Sequence, residues 1–416
     1  MAGLMSAMGC GSLRQPVPLA GRVETPTEDA GQPPSPSPPD ASSPGSPDAR
    51  TVDPTDAAIS GAGRDAGAGE ARAPDSGSLA PGTVVSPLVS TVVAENVGTI
   101  DALAIDGATL YGLTDENAVW VLEAGSTVPR LLAQDAAPVG SSCGHDSRLA
   151  FNASDLFWLA RPTAAPAPVG TVLHRTERSG SSDTLMATGV ASAPYPMVAA
   201  DDTHVFWIEE AESSDGNPGG VVRTLPVDAA PGTAPTTLVP VKGAYDITAM
   251  TLAGPMLYWT SVFNYTTVPM PQLYADTVSD LLAPQPPTPT YLGESWWVYP
   301  HDGDLYVDTV PSFEHLDLAR RLPDGSTVNL APIEDADNIV FVDDWAVVSV
   351  PAGSCGNNQH QLVAVPTATP GGPIVQLADD LSTPAVLGTV LAFVDITGQV
   401  HTSTLGQIRG ALAASR

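Results

Sequence analysis

The residues with the most chemistry in this chain stand in two short irregular phrases, Ser141-Ser142-Cys143-Gly144-His145-Asp146 and Cys355-Gly356-Asn357-Asn358-Gln359-His360. His145, Asp146 and His360 are types that ligate metals or work as an acid–base pair, since imidazole titrates near neutrality and a carboxylate can orient it. Their spacing matches no metal or hydrolase motif, so solvated loop residues are the plainer expectation. The phosphate-binding glycine loop and H-E-x-x-H do not occur in the sequence. We therefore assign no catalytic residue, metal or cofactor, and hold His145, Asp146 and His360 as candidate loop-face binding residues.

Three cysteines remain to be placed: Cys10, Cys143 and Cys355. Cys143 and Cys355 lie in matching Ser-Cys-Gly phrases, which suits a disulfide in an oxidising compartment. They lie in well-separated repeats, and a bond needs Cα atoms within about 7 Å, so two unpaired thiols are the alternative. The acidic pairs Asp201-Asp202, Asp343-Asp344 and Asp379-Asp380 lack the D-x-D-x-D-G spacing of a calcium loop and read as turn residues. Trp158, Trp207 and Trp259 fall at equivalent places in a repeated pattern, which favours packing over ligand stacking.

That pattern is what must position everything else. A short apolar strand, a tight polar turn and an aromatic strand recur as Leu103 to Tyr111, Leu149 to Trp158, Val198 to Trp207 and Met250 to Trp259, with fainter copies at Trp297 to Tyr306, Ile339 to Val348 and Ala385 to Phe393. Third strands follow at Val119 to Leu122, Gly219 to Arg223, Gln272 to Ala275 and Gln399 to Thr402. Fourth strands read at Arg130 to Ala133, Thr184 to Ala187, Thr237 to Val239 and Val375 to Ala378. Four antiparallel strands per unit is the blade of an all-β propeller. Turn starts at Asp106, Asn152, Asp201, Ala253, His301, Asp343 and Gly388 are 46, 49, 52, 48, 42 and 45 residues apart, near known blade periods. Seven blades are predicted, with six as the alternative. The last unit ends after its third strand, and Ser90 to Glu95 reads as a spare fourth strand, so pairing the two would close the ring and remove open edges.

The phrases Leu257-Tyr258-Trp259-Thr260 and Val205-Phe206-Trp207 resemble the second strand of YWTD-type and TolB-like propeller repeats. That resemblance implies a binding or scaffolding propeller outside the cytoplasm and carries over no catalytic residue. Met8-Gly9-Cys10-Gly11-Ser12 resembles the cleavage box of bacterial lipoprotein signal peptides. It implies lipid on Cys10 and a place in the bacterial cell envelope, secretion being the alternative. Residues 1–10 would be part of that signal. Residues 11–86, rich in Pro, Ser, Ala and Gly, read as a disordered tether of about 50 Å r.m.s. span. The propeller is drawn at 87–408 and a C-terminal tail at 409–416.

Charge bounds the partners. The chain carries −30, of which the first 86 residues, with ten acids and five arginines, contribute only −5. An acidic folded domain repels phosphate, so nucleic acid is not expected, and a membrane is expected only through a lipid anchor. The sequence reading is thus a monomeric, tethered propeller that binds a protein, glycan or small molecule through loops on one face. An extracytoplasmic hydrolase or lyase with a polar site at the channel mouth is the alternative. Joins between blades and the loops between second and third strands share that face, and they carry His145, Asp146 and His360.

Overall fold

The computed structural model describes residues 83–134, 148–160, 171–180, 182–190, 197–212, 218–239, 245–263, 271–286, 288–312, 315–333, 336, 338–351, 359–383 and 385–415. Two strands, β1 (Val84–Val85) and β2 (Thr91–Ala94), precede the first blade. Blade 1 is β3 (Ile100–Asp106), β4 (Thr109–Thr114), β5 (Ala118–Leu122) and β6 (Arg130–Gln134). Blade 2 is β7 (Leu149–Phe151), β8 (Asp155–Ala160), β9 (Thr171–Glu177) and β10 (Asp183–Val190). Blade 3 is β11 (Val198–Ala200), β12 (His204–Glu212), β13 (Pro218–Pro226) and β14 (Thr236–Val239). Blade 4 is β15 (Tyr245–Ala253), β16 (Met256–Phe263), β17 (Gln272–Thr277) and β18 (Thr290–Glu294), with the one-turn helix α1 (Val278–Leu281) between its last two strands. Blade 5 is β19 (Val298–His301), β20 (Asp304–Ser312), β21 (His315–Arg321) and β22 (Thr327–Ala331). Blade 6 is β23 (Asn338–Val342), β24 (Trp345–Pro351), β25 (His360–Pro366) and β26 (Val375–Leu381). Blade 7 is β27 (Val386–Leu387), β28 (Val390–Val394) and β29 (Val400–Thr404), followed by helix α2 (Leu405–Ala414).

Closure of the ring follows the expectation from the spare strand. β2 pairs antiparallel with β29, Thr91 opposite Thr402, and so becomes the fourth strand of blade 7. Seven blades form, not six, and each seam between neighbours has its own apolar cluster. Tyr111, Leu113 and Val121 of blade 1 meet Leu156 and Trp158 of blade 2. The ring ends where it began, with Ala392, Val394 and Val400 of blade 7 against Ile100, Leu110 and Trp120 of blade 1. A solenoid would leave those last two faces open to water.

Local chemistry explains the hairpins. The first-to-second-strand turns need backbone at positive φ, which Gly107 (60°), Gly254 (55°) and the pair Asp302 (49°) and Gly303 (85°) supply. At Asp201 the side chain does the work: its Oδ1 accepts the N–H groups of Thr203 and His204, both at 2.7 Å. Blade 1 departs from its siblings in one informative way. Leu110-Tyr111-Gly112 has glycine where Leu156-Phe157-Trp158 and Val205-Phe206-Trp207 have tryptophan. The missing volume comes from the facing residue of the next strand, Trp120, which pairs with Gly112. Its ring lies so close that a Cβ on Gly112 would sit 2.2 Å from Trp120 Cζ2.

Both boundaries drawn from the sequence shift. Val84 and Val85, placed in the tether, run parallel to Val375 and Gln376 and add a fifth strand to the outer edge of blade 6. Of the segment read as a tail, residues 409–414 belong to α2. Thr404 caps α2 and Gln407 reciprocates in a capping box. Ile408 and Leu412 are buried against Val347, Leu362, Leu391 and Phe393 in the seam between blades 6 and 7. At its exposed side Arg409 makes a bidentate pair with Asp343, at 2.7 and 2.8 Å.

Candidate functional site

In antiparallel blades the turns between strands one and two, and three and four, lie at one end. Second-to-third-strand connections and the joins between blades lie at the other, which we call the join face. His360 opens β25 at that end, half-buried, with its backbone paired to Pro351 and Leu381. Cys10, Cys143, His145, Asp146 and Cys355 lie outside the described residues. Of the three candidate binding residues the described structure positions His360.

A residue that sequence reasoning passed over is better defined. Arg148, just before β7, has a fully buried side chain and pairs through Nη2 with the Asp101 carboxylate of β3, itself only 6% exposed. Its Nη1 also reaches the Leu159 carbonyl oxygen at 3.5 Å, and its own carbonyl accepts the Leu159 N–H at 3.0 Å. The pair thus pins blade 2 to blade 1 at the join face, immediately after the segment that holds His145 and Asp146. The only signal in the sequence was a cation set directly before an inner strand, where blade 3 has Met197.

Other seams at that end use neutral groups. Thr260 Oγ1 donates to the Trp296 carbonyl at 3.1 Å across blades 4 and 5. Asn338 Nδ2 donates to the Ala385 carbonyl, and the Ala385 N–H donates to Ser349 Oγ, both at 2.8 Å, across blades 6 and 7. Buried polar groups must be paired, and here the pairing doubles as inter-blade registration. Near the same face, burial and the neighbouring Glu116 push the Asp115 carboxyl above its ordinary value.

The three repeated tryptophans do not line a site. Trp158 and Trp207 are fully buried and Trp259 is 2% exposed, each facing the preceding blade. Trp158 Nε1 donates to Thr176 Oγ1 at 3.0 Å, and His174 stacks on the indole at 4.2 Å. Asp183 ties this group together: it accepts Thr176 Oγ1 at 2.7 Å and lies 3.1 Å from His174 Nδ1. Burial alone would raise the Asp183 carboxyl, but hydrogen bonds from His174 and Thr176 outweigh it and hold the group below its ordinary value. Of the acidic pairs, Asp201-Asp202 and Asp343-Asp344 lie in turns, Asp343 at φ 53°, whereas Asp379-Asp380, read as a turn, lies within β26 where its register against β25 shifts, with Asp380 at φ 56°. Among the described residues no cluster of three His, Cys, Asp or Glu side chains is placed to hold a metal.

The inner strands of blades 1 to 4 enclose part of the central channel, a space of about 250 Å³. Ala104, Ala150, Phe151, Val198, Ala200 and Leu252 form its wall with Thr251 as a polar member.

No protein-family model matches the chain, and no curated protein matches it. Among solved structures it is similar to a prolyl endopeptidase, with a TM-score of 0.51 and 10% identity over 74% of this chain and 48% of that one. It is also similar to an oligogalacturonate lyase in complex with manganese (TM-score 0.46, 12% identity, 62% of this chain and 74% of that one). A GH74 xyloglucanase from Xanthomonas campestris is a third (TM-score 0.47, 14% identity, 77% and 54%). The chain spans about half the length of the prolyl endopeptidase it matches. What it shares at such identities is the fold, a seven-bladed β-propeller.

Proposed function

We propose that the ring is an extracytoplasmic binding or scaffolding module that offers its join face to a protein, glycan or small-molecule ligand. In this reading it is a bacterial lipoprotein with a YWTD/TolB-like propeller, held to the envelope by lipid on Cys10 through the Pro/Ser-rich residues 11–86. The observation that carries the binding role is where the repeated chemistry goes. Trp158, Trp207 and Trp259 are absorbed by packing, and Asp201 and Asp343 by hairpin turns and a seam. What does not repeat is the set of join-face connections, which differ in length and sequence. Variable loops on a rigid frame suit recognition.

The test compares faces of the full chain. Glycan and envelope-peptide arrays are probed with wild type, with His145→Ala, Asp146→Ala and His360→Ala, and with the opposite-face controls Asp302→Ala and Asp324→Ala. Join-face variants should weaken capture by about tenfold, roughly 1.4 kcal/mol, while the controls match wild type. Equal loss on both faces overturns the reading. So does turnover on a panel of ester, glycoside and peptide substrates that the join-face variants abolish. Labelled palmitate in a bacterial host tests the anchor: it should enter wild type and not Cys10→Ser, and no incorporation removes the anchor.

A further inference from the structure

We propose that Ser90, His401 and Asp395 form a nucleophilic relay on the outer rim of blade 7, able to take an acyl group from a small uncharged carboxylic ester. The three come from the two ends of the chain. Ser90 directly precedes β2, His401 lies within β29, and Asp395 begins the turn that joins β28 to β29. Only closure of the ring brings them together, since Ser90 and His401 are 311 positions apart.

The direction of each hydrogen bond follows from Asp395. Its Oδ1 accepts the Thr397 N–H at 2.9 Å, the Thr397 hydroxyl at 2.7 Å and the Gln399 N–H at 3.0 Å. Burial would raise this carboxyl, yet the donors around it, His401 included, hold it below its ordinary value and so ionised. Its Oδ2 lies 3.0 Å from His401 Nε2. A carboxylate can only accept, so Nε2 carries a proton, and in the tautomer protonated there alone Nδ1 keeps a lone pair. In that tautomer the lone pair faces Ser90 Oγ at 3.1 Å and accepts the serine hydroxyl proton. Phe393 lies flat against the imidazole, with centroids 5.0 Å apart and planes 2° from parallel, and fixes its rotation. Nucleophile, base and orienting carboxylate are thus in the order that activated serines need.

Reach and selectivity have a physical basis. Ser90 is half-buried, not sealed, and β2 is the outermost strand of its sheet, so an ester can approach from the rim. A net charge of −30 disfavours anionic esters, hence the uncharged class. In the reaction Ser90 Oγ bonds to the carbonyl carbon while its proton passes to His401 Nδ1. The adduct then expels the alkoxide, which leaves as alcohol with that proton. Water repeats the sequence in reverse, releasing the acid and restoring the Ser90 hydroxyl.

The experiment uses the folded full chain and an alkyl fluorophosphonate, with adducts located by mass spectrometry. Wild type should carry one adduct, on Ser90. Ser90→Ala should carry none, and His401→Gln should label about a hundredfold more slowly, the scale of a lost general base. Asp395→Asn should slow labelling about tenfold or more, and wild type should hydrolyse p-nitrophenyl acetate faster than Ser90→Ala. Where Ser90→Ala fails to fold, Ser90→Cys with iodoacetamide, alone and combined with His401→Gln, reads the same dependence. No adduct on wild type, an adduct on another serine, or His401→Gln labelling at the wild-type rate would show that the three residues merely stitch the ring, and would overturn the proposal.

Discussion

Replacing Arg148 by Met removes a charge from a side chain with no exposed surface and strands the Asp101 carboxylate, 6% exposed, in the seam between blades 1 and 2. Breaking a buried ion pair from one side costs about 3–5 kcal/mol, because the remaining charge has lost its counter-ion and cannot recover its water. The loss of Coulomb attraction alone would be smaller at the effective dielectric of real proteins. The cost is mainly one of desolvation. Removing both charges in Asp101→Asn/Arg148→Met should therefore restore stability to within about 1–2 kcal/mol of wild type, since an apolar replacement of a buried pair is often neutral. Urea unfolding followed by tryptophan fluorescence checks this, with Trp158 reporting from the same seam. The single variant should also close part of its deficit as pH falls toward about 4, where a proton relieves the stranded carboxylate. A deficit below about 1 kcal/mol at pH 7, or a double variant no better than the single, would refute the desolvation argument.

Four further outcomes follow from named contacts. Gly112→Ala drives a Cβ to 2.2 Å from the Trp120 ring and should cost about 1–3 kcal/mol by overpacking, measured by the same urea midpoint. Leu412→Ala should cost about 2–4 kcal/mol, because α2 plugs the seam of blades 6 and 7 with a side chain only 3% exposed. Arg409→Ala, whose pair with Asp343 is about half-exposed on both sides, should change stability by less than about 1 kcal/mol in the same assay. Asp183 has a folded-state carboxyl held below its unfolded value. Its stabilising contribution is therefore present above about pH 4 and is lost as pH falls through the folded value. Thermal midpoints from pH 7 down to 2 should drop less steeply for Asp183→Asn than for wild type.

The sequence by itself determined the blade register. Strand alternation, Asp and Gly at turns and a near-constant period are local properties, so seven units, their hairpins and the closing strand at Thr91 to Ala94 could all be read before any coordinates. The cap of α2 is equally local, since Thr404-x-x-Gln407 is written in the chain. Tertiary structure decided what meets across seams. Whether Arg148 finds Asp101, whether Trp120 fills the space above Gly112, and whether Ser90 reaches His401 depend on blade-to-blade rotation and ring closure. Those quantities are set by the summed packing of seven apolar interfaces. No short stretch of sequence carries that sum, which is why the frame was legible and the sites upon it were not.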